Sequence, residues 1–130
     1  MKISRLKSRK DFLRAQKGIR RRSSGLTVEL CATPDTTDVA KTDCRVGFTA
    51  SKKVGNSVAR NRAKRRMRAL AAEILPALAE PGHDYVLIAR PQTIDRPFDL
   101  LRQDLTEAVT QANRLQKKAR PSAPETPVCA

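Results

Sequence analysis

Aromatic residues are scarce in this chain: no tryptophan, one tyrosine and three phenylalanines among 130 residues. That leaves Phe12, Phe48, Tyr85 and Phe98 as the only aromatic rings of Phe, Tyr or Trp on which a base could stack. Histidine occurs once, as His83 beside Gly82, where it reads as an exposed turn residue. Cysteine occurs three times (Cys31, Cys44, Cys129), an odd number without CxxC spacing. Neither a zinc site nor a disulfide framework is supported, and the thiols read as incidental in a reduced, cytoplasmic protein. No stretch approaches the roughly 20 apolar residues that span a bilayer, so no membrane partner is expected. The first residues alternate charge with Leu or Ile and lack the apolar h-region of a secretory signal. No Ser or Cys has a candidate base partner, and the acids are scattered rather than paired. A free-standing nuclease is therefore a poor reading, and any hydrolytic chemistry must come from elsewhere.

Acid is the scarcer charge: 13 Asp and Glu stand against 27 Lys and Arg, for a net charge of +14. Such an excess points to a polyanionic partner, nucleic acid before an anionic membrane surface. The charge is concentrated. Residues 52–68 contain eight Lys or Arg and no acid, and no acid occurs between Asp43 and Glu73. A solvated helix face normally mixes both signs. Arginine outnumbers lysine in this run, which suits bidentate phosphate contacts and stacking on bases. Residues 1–22 add ten basic residues and one acid, Asp11.

The pattern of the chain predicts a single α+β domain over residues 1–118 and a disordered tail over 119–130, where proline is frequent and apolar residues are few. Ser8 caps a short helix over about 9–17, ended by Gly18. Phe12 lies on it among Arg9, Lys10 and Arg14, either as core or as a stacking surface. Leu26, Val28 and Leu30 alternate with polar residues as a half-buried strand. Residues 33–43 read as a hairpin loop, and 45–51 as a returning strand with Val46, Phe48 and Ala50 on one face. Asn56 or Ser57 starts a helix bounded by Pro76. Its apolar residues Ala63, Met67, Leu70, Ala71, Ile74 and Leu75 fall in a sector roughly 140° wide. Asn61, Arg62, Arg65, Arg66 and Arg68 lie outside that sector, while Arg60 and Lys64 fall on the apolar side. The positive end of the helix dipole adds to the cationic half. Tyr85 to Ala89 is a continuous apolar run suited to a central strand. A last helix runs from Asp99, as its cap, to Leu115, with Leu101, Leu105, Ala108, Val109 and Ala112 as its stripe.

Residues 45–68 resemble the signature of the bacterial ribonuclease P protein subunit. The matching residues are Arg45-Val46-Gly47-Phe48, Ser51-Lys52-Lys53-Val54-Gly55-Asn56, and Arg60-Asn61-Arg62 with Lys64, Arg65 and Arg68. Asp11-Phe12 with Gly18 is similar to that family's first helix, and Asp84 to Pro91 to its last strand, so the likeness covers about residues 5–118. The resemblance implies an α-β-β-β-α-β-α fold with a central mixed sheet and a left-handed crossover around the Arg-Asn-Arg helix. It implies a non-catalytic subunit that pairs with a catalytic RNA to remove the 5′ leader of precursor tRNA. Magnesium (Mg2+) would be bound mainly by that RNA, and no obligate protein partner is expected. Carried over, Lys52, Lys53, Arg60, Asn61, Arg62, Lys64, Arg65 and Arg68 contact the catalytic RNA. Phe12, Gln16 and Thr27 contact the leader in a cleft between the first helix and the sheet. Gln16 stands where a second aromatic is common in the family, and an acid such as Glu29 facing RNA would depart from its pattern. The alternatives are a structural RNA-binding protein of ribosomal type and an architectural DNA-binding protein.

Overall fold

The computed structural model describes residues 3–34 and 43–119, which form one α+β unit. In chain order it contains β1 (Ile3–Arg5), α1 (Arg9–Gln16), β2 (Ile19–Arg22), β3 (Leu26–Ala32), β4 (Cys44–Thr49), α2 (Ser57–Leu78), β5 (His83–Ala89), a 3-10 turn (Pro91–Thr93) and α3 (Phe98–Ala119). The strands make one mixed sheet in the order β1-β4-β5-β3-β2. Strand β4 is parallel to β1 and β5, whereas β3 is antiparallel to β5 and β2. Helix α2 thus connects adjacent parallel strands, β4 and β5.

Strand alternation sorts the side chains onto two faces. Leu26, Val28 and Leu30 of β3, Val46 of β4, and Tyr85 and Leu87 of β5 join Met67, Leu70 and Leu75 of α2 and Leu101, Leu105 and Val109 of α3 in the main core. Cys31 of β3 and Val86 of β5 turn the other way and form a smaller core with Leu6 and with Ala15 of α1. The apolar run of β5 is explained by this position, central in the sheet with packing on both faces. The Tyr85 hydroxyl accepts from the Glu80 backbone N–H (2.7 Å) and donates to Asn113 Oδ1 (2.6 Å). It thereby ties β5 to α3 and to the chain leaving α2.

Several elements differ from the sequence expectation. Strand β1 extends the implied four-stranded sheet to five, held by pairing with β4 and by the Leu6 N–H on the Val46 carbonyl (2.9 Å), and β2 is the implied strand that the residue pattern alone did not reveal. Pro76 lies inside α2 rather than at its end, because the helix continues past it, with the Ala79 N–H still reaching the Leu75 carbonyl (2.8 Å). Asp99 sits in the first turn of α3 and bonds Arg102 instead of capping the helix. His83 is 7% exposed, not a free turn residue, because β5 begins there and pairs it with Ala32. Helix α3 reaches Ala119, and the tail expected beyond it lies outside the described residues, as does most of the 33–43 loop; that loop does not close the expected hairpin, because β5 lies between β3 and β4 in the sheet.

Candidate nucleic-acid interface

The basic helix α2 begins at Asn56, whose side-chain oxygen accepts the Ala59 backbone N–H (2.9 Å). Ahead of it, Gly55 has φ +148°, and a Cβ there would meet Ala59 Cβ at 2.9 Å, so the entry turn requires glycine. Lys52 and Lys53 are exposed ahead of the helix; on it Asn61, Arg62, Arg65 and Arg68 are exposed and Arg60 and Lys64 half-buried, as helical angle placed these six. Arg60 Nε is buried without a hydrogen-bond partner. No acid lies in the first turn of α2.

Two arginines of this helix are engaged within the protein. Arg66 donates to the carbonyls of Thr93 (2.7 Å), Ile94 (2.7 Å) and Arg96 (2.6 Å), and its guanidinium lies 5.7 Å from the centre of the Phe98 ring. Burial, with Arg62 beside it, pulls this guanidinium below the usual arginine range. Arg62 Nε also donates to the Ile94 carbonyl (3.2 Å) while its side chain remains exposed. Arg65 and Arg68 carry no such bond among the described residues.

On the opposite sheet face, α1 is fixed by charge. Arg45 of β4 bonds both carboxylate oxygens of Asp84 on β5 (2.8 and 2.6 Å) and reaches Asp11 of α1 (3.2 Å). Asp84 is fully buried and also accepts the Thr33 hydroxyl (2.8 Å). The bonded Asp84 holds the Arg45 guanidinium above its usual range. Phe12 packs over Gly47, half-buried beside the smaller core. Next to α1 the sheet stays open as a groove of about 340 Å3, lined by Arg20, Arg22, Thr27, Lys53, Ile88 and Arg90, among others.

Of β3, Thr27 lines the groove and Glu29 lies buried on the same face of the strand, while Val28 and Leu30 lie in the core. Glu29 is 1% exposed and takes a two-pronged contact from Arg20 across the strand pair (2.9 and 2.6 Å). The acid on this face is therefore neutralised by the protein itself. Thr27 and Lys53 line the same groove, so Lys53 stands at the boundary between the groove and α2. Phe12 and Gln16 stay on α1 outside its lining, Gln16 exposed, with Phe12 and Ile88 packing against the same small core. Arg20, Arg22 and Arg90 were missed as groove residues. For Arg20 and Arg22 the signal was the run Arg20-Arg21-Arg22: in a strand it sends the first and third to one face, while Arg21 bonds Gln111 of α3 on the other (3.0 and 2.7 Å).

Among the described residues no three His, Cys, Asp or Glu side chains group as a metal site. Most carboxylates near the two surfaces are bonded to arginines, Asp11 and Asp84 to Arg45, Glu29 to Arg20, Asp104 to Arg96 and Glu73 to Arg102, which leaves Asp95 beside Arg66 as an isolated acid among the described residues. This donor set does not fit magnesium. No helix among the described residues is long and apolar enough to cross a membrane. What the chain offers is two cationic surfaces, one helical and one grooved, on different faces of the sheet.

The family model described as Ribonuclease P matches residues 1–113. The ribonuclease P protein component of Paramagnetospirillum magneticum is 48% identical over 126 residues, covering 96% of this chain and 94% of that protein. That of Ruegeria pomeroyi is 50% identical over 108 residues, covering 82% and 84%. Among solved structures, the Staphylococcus aureus RNase P protein matches with a TM-score of 0.66 at 28% identity, over 83% of this chain and 94% of that one. The Thermotoga maritima RNase P protein shares the fold, with a TM-score of 0.66 at 24% identity over 83% and 96%.

Proposed function

The chain belongs to the ribonuclease P protein family, and on that premise we propose that it divides RNA binding between its two cationic surfaces. It is a ribonuclease P protein subunit, with a role in tRNA processing as part of an endoribonuclease complex. In this reading α2 and the turn before it, through Lys52, Lys53, Arg60, Asn61, Arg62, Lys64, Arg65 and Arg68, bind the ribonuclease P RNA. The groove beside α1 takes the single-stranded 5′ leader of precursor tRNA, with Thr27 in its lining, Phe12 and Gln16 on the adjoining helix, and Arg22 and Arg90 on the leader phosphates.

The observation that carries the reading is the separation of exposed Arg65 and Arg68 on α2 from the Thr27–Arg22–Arg90 groove on the other face of the sheet. Phosphate contacts supply affinity and register in each case. The side chains of this chain hold RNA and do no bond chemistry. Hydrolysis of the leader phosphodiester is assigned to the partner RNA, with Mg2+ held there. A cytoplasmic setting and no obligate protein partner belong to the same proposal, as does a left-handed β4–α2–β5 crossover. The comparisons do not favour a ribosomal-type structural protein.

The test is reconstitution with a bacterial ribonuclease P RNA and labelled precursor tRNA, at low magnesium and near-physiological salt. Strong stimulation of cleavage at the mature 5′ end is expected. RNA binding without stimulation would return the protein to the structural class.

A further inference from the structure

A second groove, of about 410 Å3, opens between β1, β4 and α2. Ile3, Phe48, Ala72 and Pro76 line it, with Arg5 entering from the strand and Arg68 from the helix. Its size falls within the ~300–1,000 Å3 of small-ligand sites, and apolar walls with a few placed polar groups are their usual chemistry. We propose that this groove takes one unstacked base of the RNA bound by α2, with Arg5 and Arg68 on the flanking phosphates. The proposal rests on α2 being the catalytic-RNA surface.

Three features choose a nucleotide over other occupants. Arg68 belongs to the basic run of α2, so the groove continues that surface. Neither Arg5 nor Arg68 has an acidic partner among the described residues, and both are exposed. An apolar slot flanked by two free guanidiniums matches a base between two phosphates, whereas an apolar peptide would leave both cations unanswered. Phe48 is half-buried in the lining and supplies an aromatic surface, the usual partner of a splayed RNA base. In addition, β1 is the edge of the sheet. The Leu6 N–H points to Val46, so strand alternation turns the backbone groups of Ile3 and Arg5 outward, where a base edge can use them.

Ala72 is exposed on α2 and lines the groove, so Ala72→Phe fills it without removing a charge. Ala72→Leu is a gentler filling, and Ala72→Ser leaves the space open. Each full-length protein is bound to ribonuclease P RNA, with affinity measured and bases probed by dimethyl sulfate. Filling is expected to weaken binding about tenfold, the scale of one lost base–aromatic stack. A discrete unpaired nucleotide should lose its protection while the hydroxyl-radical footprint of α2 persists. The serine variant should behave as wild type. Unchanged affinity and base protection in both filled variants would overturn the proposal. Loss of self-association on filling, seen by sedimentation without RNA, would also overturn it and give the groove to a second copy. If Arg65→Ala leaves affinity unchanged and the footprint avoids α2 altogether, the reading of α2 itself has failed, a result distinct from either.

Discussion

The Phe12 ring lies so close over Gly47 that a Cβ on the glycine would meet two ring carbons at 2.6 Å. Helix α1 can approach β4 only because the sheet has no side chain there. Gly47, within the segment that carries the family resemblance, thus sets the height at which an aromatic sits beside the groove. Arg45 and Asp11 clamp the same helix by charge. The position of Phe12 is therefore fixed from both its own helix and the strand beneath.

Gly47→Ala is expected to push Phe12 off the sheet and to destabilise the fold by ~1–3 kcal/mol, as overpacking does. Thermal unfolding measures the stability, and the preference for precursor over mature tRNA should fall in the same variant. A variant of full stability and full preference would show that Phe12 has room to adjust.

Arg66 and Arg65 are neighbours with different work. Arg66→Ala removes three carbonyl contacts and a ring contact on the chain leading into α3. It should cost stability, by ~1–3 kcal/mol for lost charged hydrogen bonds. Arg65→Ala should leave the melting curve in place, weaken ribonuclease P RNA binding, and reduce the salt slope of that binding by about 1. Denaturation and a salt titration of each variant separate the two roles.

Helix α2 was legible because apolar residues at helical spacing and a one-sign charge run reinforce each other over 22 residues. Strand β5 was legible as an unbroken apolar run. Strands β1 and β2 were not, because they are three and four residues long and mostly polar or cationic. Ile19 is the one apolar residue in β2, and its partner arginines are sorted by the sheet rather than by any hydrophobic pattern. The candidate site divided in the same way. Arg65 and Arg68 could be read from helical angle alone. Arg62 could not be known to lean on Ile94, nor Glu29 to be neutralised by Arg20, since both depend on chain segments brought together by the fold. His83 misled because a residue beside Gly82 looks like a turn, while pairing with Ala32 buries it.

Cys31 and Cys44 are buried, and that burial pushes both thiols up from 9.0 to about 11. Below pH 9 both are protonated folded or unfolded, and the shift has no effect on stability. As pH rises from 9 towards 11, the unfolded chain releases protons that the folded one retains, so stability falls. Denaturant midpoints taken across that range in a Cys129→Ser background should decline. Replacing Cys31 and Cys44 by alanine and comparing slopes, not absolute stabilities, should flatten the decline. Thiol reagents at pH 8 should modify the two residues only on unfolding.

The most direct test of the two-surface account compares Phe12→Ala with Arg65→Ala in reconstituted holoenzyme. Affinity is measured for ribonuclease P RNA, for precursor tRNA and for mature tRNA. Phe12→Ala should reduce the preference for precursor over mature tRNA by ~1–3 kcal/mol, as for a lost base stack, and leave ribonuclease P RNA affinity unchanged. Arg65→Ala should do the reverse, weakening ribonuclease P RNA binding by ~1–3 kcal/mol while the preference for precursor survives. If the two substitutions act alike on all three RNAs, the division of labour between α2 and the groove is contradicted.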